Sequence, residues 1–362
     1  MHRLGISLYP EHSTPDKDYA YMELAAMNGF SRIFTCLLSV EKNAEDTIAE
    51  FGGFMAKAHE LGFTVAVDTN EKVFERLGAT PSNLNPFKEL GVDIIRLDGH
   101  FGDMGDIMLT RNREGIQIEF NGSGNLPIDL LAERGADKRN MVTCANFYPE
   151  PFTGMSEERF WELSHKYKSQ GFQTAAFVSS QQKNTFGPWP VFAGLPTCED
   201  DRHRPIDLQV RHMIATGLID DIIIGNAFAS AEELAAMAAV DMTRTTMRLV
   251  LDEGATEEEL RVVYGYDQTE RPDSSAYMLR SSWPRMDFRE TSIPARTAPE
   301  TFHRGDVLVV NDNLAHYRGE LHVALRDMPN DGTRNLVGRI PAEELFLLEY
   351  IKSENPFAFI KE

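Results

Sequence analysis

The 362-residue sequence predicts an α/β protein: a TIM (β/α)8 barrel followed by a smaller, mainly β domain. Three observations support this prediction. Eight short apolar runs in the N-terminal part each end in polar residues, glycines end several helix-like segments between the runs, and this alternation stops near residue 239. Barrel chemistry collects at the C-terminal ends of the strands, so the polar endings indicate where a site would lie.

The apolar runs are short and apolar on both faces, as expected of parallel strands covered by helices. They are Leu4–Tyr9, Phe30–Leu38, Phe63–Val67, Ile94–Leu97, Ile116–Phe120, Met141–Ala145, Phe172–Val178 and Ile222–Ile224. Between them, the segment Ser156–Gln170 has apolar residues at helical spacing behind a serine that can cap a helix.

Four glycines occupy the same place in this alternation, between a helix-like segment and the next apolar run. They are Gly29, Gly62, Gly91 and Gly171. Glycine adopts at little steric cost the left-handed conformation that ends a helix. The repeated junction therefore indicates an alternating βα chain.

We expect the barrel to span residues 1–241 and the second domain residues 245–362. The second part has turn-rich sequence and four predicted strands, Met247–Leu251, Tyr277–Arg280, Asp306–Val310 and Leu321–Leu325. One helix is predicted there, over Ala342–Ile351.

Composition excludes several classes of protein. A net charge of −20 argues against nucleic-acid binding, and no apolar run is long enough for a membrane span. The three cysteines lack CxxC spacing, so neither a disulfide framework nor a zinc site is indicated. No dinucleotide-binding, P-loop or GxSxG motif occurs, which argues against a dehydrogenase, a kinase or an esterase. The N-terminus does not resemble a signal peptide, so a cytoplasmic protein is expected.

The connection after the seventh strand, residues 179–205, is unusually long for a compact domain. Its aromatic residues Phe186, Trp189 and Phe192 predict a packed loop over the barrel mouth. Loops in this position often help to bind phosphate in barrels of this type. This loop contributes the basic residues Lys183, His203 and Arg204, and the second domain contributes Arg280.

Three carboxylates are candidates for catalysis: Asp68 and Asp98 at neighbouring strand ends, and Glu199 in the long loop. Glycoside hydrolysis requires two carboxyl groups across the scissile bond, and adjacent strand ends can supply them. The alternative is that each aspartate caps a helix or pairs with Arg96.

A set of amide and hydroxyl groups follows the fifth and sixth strands. It comprises Asn121, Ser123, Asn146 and Tyr148, which could orient sugar hydroxyls and acetamides or belong to ordinary turns.

Several of these stretches resemble the 6-phospho-N-acetylmuramidase family. The similar segments are Leu4–Glu11, Arg96–Asp98, Asn146–Pro149 with Thr153-Gly154, Gly194–Thr197 with Glu199 and His203-Arg204, Asp221–Gly225, Arg304–Asp306 and Tyr317–Leu321. The resemblance implies a barrel with a cyclophilin-like second domain. It also implies cytoplasmic cleavage of N-acetylmuramic acid 6-phosphate–N-acetylglucosamine in cell-wall recycling, without a cofactor.

This sequence departs from the family pattern at three places. Gly122 stands where alanine is expected, Cys198 replaces an aliphatic residue, and Asp68 is followed by Thr69-Asn70-Glu71 rather than by a proline-containing turn. The last departure adjoins the predicted site and bears on the identity of the sugar.

The leading hypothesis is a phosphoglycosidase that uses two of the three carboxylates and binds a phosphorylated amino-sugar disaccharide. Two rivals stay open: another sugar-phosphate enzyme, such as an aldolase or isomerase, and a non-catalytic sensor of phosphorylated cell-wall sugars. A Schiff-base aldolase would need a lysine at a strand end, where this sequence has none. Assembly into a homo-oligomer also stays open.

Overall fold

The computed structural model describes residues 2–38, 44–297 and 299–361, with only the backbone described for residues 44–50. The chain divides into two compact units. The first comprises Met1–Met213 with Gly217–Val240, and the second comprises Ile214–Thr216 with Asp241–Glu362.

The first unit contains a closed barrel of eight parallel strands in chain order, in which β1 pairs with both β2 and β8. The strands are β1 (Arg3–Ser7), β2 (Arg32–Cys36), β3 (Thr64–Thr69), β4 (Ile94–Leu97), β5 (Gln117–Asn121), β6 (Met141–Cys144), β7 (Gln173–Val178) and β8 (Asp221–Ile224). The structure therefore confirms the predicted barrel, and each predicted run contains its strand to within one or two residues.

Helices connect the strands as predicted. They are α1 (Pro15–Met27), α2 (Ala44–Glu60), α3 (Glu71–Leu77), α4 (Asn85–Leu90), α5 (Gly102–Thr110), α6 (Ile128–Glu133), α7 (Glu157–Ser169), α8 (Ile206–Thr216) and α9 (Ala231–Ala238). Ser156 caps α7 by accepting a hydrogen bond from the Arg159 backbone N–H. The four junction glycines have φ values between 80° and 91°, which confirms the left-handed conformation inferred from the sequence.

The barrel interior contains buried charges as well as apolar side chains. Arg32 on β2 donates hydrogen bonds to Glu119 on β5 and to Asp221 on β8, and all three side chains are almost fully buried. Because an isolated charge is costly to bury, the two carboxylates and the guanidinium stabilise one another. Glu119 on β5 is thus part of a buried ion-pair network.

The second unit is mainly β. Its strands are β9 (Thr245–Arg248), β10 (Val250–Leu251), β11 (Gln268–Thr269), β12 (Met278–Ser281), β13 (Thr301–Phe302), β14 (Asp306–Val310), β15 (Leu321–Ala324), β16 (Met328–Pro329), β17 (Arg334–Arg339) and β18 (Pro356–Ile360). They form a five-stranded sheet in the order β10-β17-β14-β15-β12, a three-stranded sheet in the order β11-β18-β9, and the pair β13-β16.

One prediction for this unit was wrong in detail. The run Met247–Leu251 is divided at the buried Leu249, and its two parts, β9 and β10, lie in different sheets. The helix predicted over Ala342–Ile351 is of the 3-10 type and spans Ala342–Tyr350. A helix that was not predicted, α10 (Glu257–Tyr264), begins with a capping box between Thr256 and Glu259.

Candidate active site

A cavity of about 200 Å³ lies at the C-terminal ends of the barrel strands. Its lining includes two carboxylates, one arginine and one amide, and consists of Leu38, Asp68, Arg96, Asp98, Asn146, Phe147, Pro149 and Trp189. These residues come from the ends of β2, β3, β4 and β6 and from the long loop after β7. The position agrees with the expectation that chemistry collects at this face of the barrel.

Asp68 and Arg96 occupy paired positions on β3 and β4, so their side chains lie side by side. Arg96 Nη1 donates a hydrogen bond of 2.5 Å to Asp68 Oδ1, and each residue is only 4% exposed. Burial raises the pKa of Asp68 to about 6, although the neighbouring Arg96 opposes the shift. Asp98 and Glu119 add to the rise by like-charge repulsion.

Asp98 lies in the same cavity but is exposed to solvent. Its backbone N–H donates to the carbonyl of Thr69 at 2.9 Å, which ties the end of β4 to the end of β3. The cavity thus contains one buried and one exposed carboxyl group.

Asn146 is held from three directions. Arg96 Nη2 donates to its side-chain oxygen Oδ1, Ser123 Oγ accepts from its backbone N–H at 2.7 Å, and Thr197 Oγ1 donates to its carbonyl at 2.9 Å. Ser123 is in turn oriented by Asn121, whose Oδ1 accepts from the Ser123 backbone N–H at 2.9 Å. The structure therefore connects three of the predicted amide and hydroxyl residues, with Asn146 in the cavity and the other two behind it.

Tyr148, the fourth member of that set, is half-buried and donates its backbone N–H to the carbonyl of Pro196 at 3.0 Å. This bond joins the segment after β6 to the long loop after β7. Tyr148 is not among the described residues that line the cavity.

Glu199 also lies outside the cavity lining as far as the described residues go. Arg202 donates to both of its oxygens, from Nε at 2.7 Å and from Nη2 at 2.6 Å. The backbone N–H groups of Phe152 and Gly154 each add a bond of 2.8 Å. Hydrogen bonds from Arg202 lower the pKa of Glu199 to about 2, so this carboxyl group is ionised at neutral pH.

The predicted basic residues have different surroundings, and none lines the cavity within the described part of the chain. Lys183 and His203 are exposed. Arg204 is half-buried and pairs with Asp201 at 2.9 Å and with Glu157 at 3.5 Å. Arg280 belongs to the second unit, where its Nη2 lies 2.9 Å from the buried Glu320 carboxylate.

Of the three aromatic residues from which the packed loop was predicted, Phe186 is packed, whereas Phe192 is 72% exposed. Phe186 forms a two-way backbone bridge with Ala227, with N···O distances of 2.7 and 2.9 Å. Its ring packs against Phe228, with ring centroids 5.7 Å apart. Trp189 lies 6.4 Å from the ring of Phe147, which places an aromatic surface at the cavity.

Sequence reasoning missed the importance of two arginines. Arg96 was considered only as a partner that would make Asp68 structural, yet it also binds Asn146 and lines the cavity. Arg202 was not considered, although it stands three residues after Glu199 and is almost completely buried. An arginine within an apolar strand and an acid–base pair at close spacing are signals that could have identified them.

A larger cavity of about 690 Å³ lies within the second unit, next to α10. Its lining is mainly apolar and contains a single carboxylate, Glu257. The smaller barrel cavity is therefore better suited to acid–base chemistry.

Among the described residues, no group of three His, Cys, Asp or Glu is arranged to hold a metal ion. None of the described helices combines the length and apolar character needed to cross a membrane.

Two family models together match nearly the whole chain. The model of the N-terminal part of 6-phospho-N-acetylmuramidase matches residues 4–239, and the model of its C-terminal part matches residues 245–360. No match was found among curated proteins.

Two solved structures resemble the whole chain. An uncharacterized B. cereus protein has a TM-score of 0.91 and 39% sequence identity, covering 100% of each chain. A conserved Enterococcus faecalis protein of unknown function has a TM-score of 0.69 and 24% identity, covering 99% of this chain and 96% of that one. The second likeness supports the fold.

Proposed function

Since the chain belongs to the 6-phospho-N-acetylmuramidase family, a family of glycosidases, we propose that it hydrolyses N-acetylmuramic acid 6-phosphate–N-acetylglucosamine. The proposed setting is cytoplasmic recycling of cell-wall peptidoglycan. The observation that carries the proposal is the presence of two carboxyl groups of unequal burial, Asp68 and Asp98, in one cavity at the barrel mouth.

Unequal burial suits the two roles that glycoside hydrolysis requires. One carboxyl group protonates the leaving oxygen and needs a raised pKa, while the other is an ionised nucleophile or base. Asp68 has a pKa raised to about 6 and only one oxygen bound by Arg96, so Oδ2 is available to carry the proton. We assign Asp68 as the general acid and the exposed Asp98 as the nucleophile or base.

Other residues of the cavity would hold the sugar. Trp189 and Phe147 offer aromatic faces for a pyranose ring, and Asn146 offers an amide. The exposed Lys183 and His203 are the best candidates in the barrel unit for the 6-phosphate, because Arg204 is already bound by two carboxylates. For Glu199 the contacts favour a role in holding the loops around the cavity, since both of its oxygens are occupied.

The experiment is incubation of the purified protein with the 6-phosphorylated and the unphosphorylated disaccharide, followed by mass spectrometry. We expect cleavage of the phosphorylated substrate and little cleavage of the other. Asp98→Asn should abolish turnover while the circular dichroism spectrum stays unchanged. Equal cleavage of both disaccharides would remove the phosphate-binding part of the proposal, and an active Asp98→Asn variant would remove the catalytic assignment.

A further inference from the structure

The hydrogen bond between Arg96 and Asn146 determines which end of the Asn146 amide faces the cavity. We propose that Arg96 fixes Asn146 with its NH2 group toward the ligand, where it donates a hydrogen bond to the acetamido carbonyl oxygen of the sugar. The inference rests on the proposed function and identifies a recognition element within the same site.

The orientation of an asparagine amide is normally ambiguous, because its oxygen and nitrogen have the same shape. Here the chemistry of the partner resolves it. A guanidinium has only donors, so the Asn146 atom that faces Arg96 must be the acceptor Oδ1. The donor Nδ2 therefore points away from Arg96.

The rest of Asn146 is immobilised by its backbone bonds to Ser123 and Thr197. Nδ2 has no hydrogen-bond partner in the described part of the chain, and Asn146 contributes to the cavity lining. A fixed donor without a protein partner is pre-organised for a ligand acceptor, because its geometry does not have to be ordered on binding.

The charges of the cavity favour a neutral acceptor over an anionic one. Asp68 and Asp98 both line it, and among the described residues of the lining Arg96 is the one cation. A carboxylate such as the lactyl group of muramic acid would be repelled by Asp98, the proposed nucleophile or base, whereas an amide carbonyl would not. The acetamido oxygen is therefore the acceptor that fits.

Arg96 acts here as a positioning residue. It is 4% exposed and donates to both Asp68 and Asn146, so the proposed acid and the proposed recognition group are fixed by the same side chain. Displacement of this guanidinium would disturb both the pKa of Asp68 and the direction of Asn146.

The test compares three 6-phosphorylated disaccharides. They are the natural one, an analogue in which the 6-phosphorylated sugar has a 2-hydroxyl in place of its acetamido group, and one without the lactyl group. Asn146→Asp keeps an acceptor toward Arg96 and removes the donor. We expect this variant to lose on the order of 10–100-fold in kcat/KM on both acetamido substrates, as for one lost hydrogen bond to the ligand, and less than about 3-fold on the 2-hydroxy analogue.

Arg96→Gln, whose amide can accept as well as donate and so no longer fixes the Asn146 amide, should show a weaker preference for the acetamido group, together with a shifted pH limb. An equal loss on all three substrates would overturn the proposal, as would an Asn146→Asp variant that prefers the acetamido substrates as strongly as the wild type does. A loss restricted to the substrate that carries the lactyl group would assign the donor to that group instead and would also overturn it.

Calorimetric binding of N-acetylglucosamine 6-phosphate and glucose 6-phosphate to the wild type and to Asn146→Asp provides a second measurement that needs no turnover. A wild-type preference for the acetamido sugar that disappears in the variant supports the proposal even if the disaccharide is not the substrate. The same preference in both proteins contradicts it. Failure of the proposed function would appear separately, as a wild type that cleaves none of the disaccharides.

Discussion

Asp68 and Glu199 are each bound to a buried arginine near the barrel mouth, yet their pKa values are shifted in opposite directions. Burial raises the pKa of Asp68 to about 6, whereas hydrogen bonds lower that of Glu199 to about 2. Asp68 receives one hydrogen bond from Arg96, and Glu199 receives two from Arg202 and two from the backbone. The number of donors and the access of water decide the ionisation, and the presence of an arginine alone does not.

The two pairs also differ in what they connect. Arg96 joins a carboxyl group to an amide within the cavity. Arg202 instead joins Glu199 to the carbonyls of Glu150, Ala193 and Gly194, and so binds the segment after β6 to the long loop after β7. The first arrangement is suited to chemistry and the second to holding two loops together.

The largest expected difference between the two pairs is in turnover. Asp68→Asn removes the proposed acid and should lower kcat by about 10³-fold or more, within the range seen when a catalytic group is lost. Glu199→Gln keeps the shape of the side chain and should lower kcat by less than about 10-fold, because it acts only through loop position. Steady-state kinetics on the phosphorylated disaccharide measures both, and a greater loss for Glu199→Gln would reverse the assignment.

Next in size is the loss of stability in Arg96→Met. This change leaves Asp68 buried without its cation, and we expect unfolding free energy to fall by about 3–5 kcal/mol at pH 8. The pKa of Asp68 is raised in the folded protein, so the folded state favours the protonated carboxyl group. Ionisation of this buried group therefore lowers the free energy of unfolding as the pH rises through about 6. The deficit should therefore be smaller at pH 5, as urea titrations at the two pH values would show. A deficit that is the same at both would mean that Asp68 does not titrate in this range.

Glu199→Gln should show a smaller loss in a different pH window. The folded pKa of Glu199 lies below its ordinary value of 4.5, so its ionised form stabilises the protein above that pH. We expect a deficit of roughly 2–3 kcal/mol at pH 7, from the loss of charge-assisted hydrogen bonds. It should shrink as the pH falls from 4.5 toward 2, which denaturant melts of both proteins can follow. A constant deficit would point to packing as its source.

The smallest effect is expected at Gly154, which closely approaches Glu199. A Cβ added there would lie 2.6 Å from Glu199 Oε2 and 2.8 Å from the Glu199 backbone, so Gly154→Ala should cost about 1–2 kcal/mol. Gly52→Ala in α2 is the matched control, because its Cβ would meet no atom of the described side chains within 4 Å and the change should stabilise the helix by ~0.5–1 kcal/mol. Thermal melts distinguish the two, and an unchanged Gly154→Ala protein would show that the loop yields easily.

The sequence predicted the barrel well because strand burial and glycine junctions are local properties. The run Ile94–Leu97 and the strand β4 have the same ends, and the junction at Gly91 has the expected positive φ. The second unit was predicted less completely, since β10, β11, β13 and β16 have only two residues each and carry little periodic signal.

The site was predicted in part. Asp68, Asp98 and Asn146 line the cavity as expected from their places at strand ends. The partners of these residues depend on strand register, and Asp68 and Arg96 are 28 residues apart in the chain. Glu199 and Arg204 could have been recognised as ion-paired, because Arg202 and Asp201 stand three residues away from them.

The buried Arg32 limits how this barrel can change over evolutionary time. It binds Glu119 on β5 and Asp221 on β8, and Arg3 on β1 is the second cation bound to Asp221, so the two positive and two negative charges balance. A neutral residue in place of any one of the four leaves a charge unmatched. Relatives are therefore expected to keep all four residues or to replace them together, and a designer who wishes to make this core apolar has to exchange the set in one step.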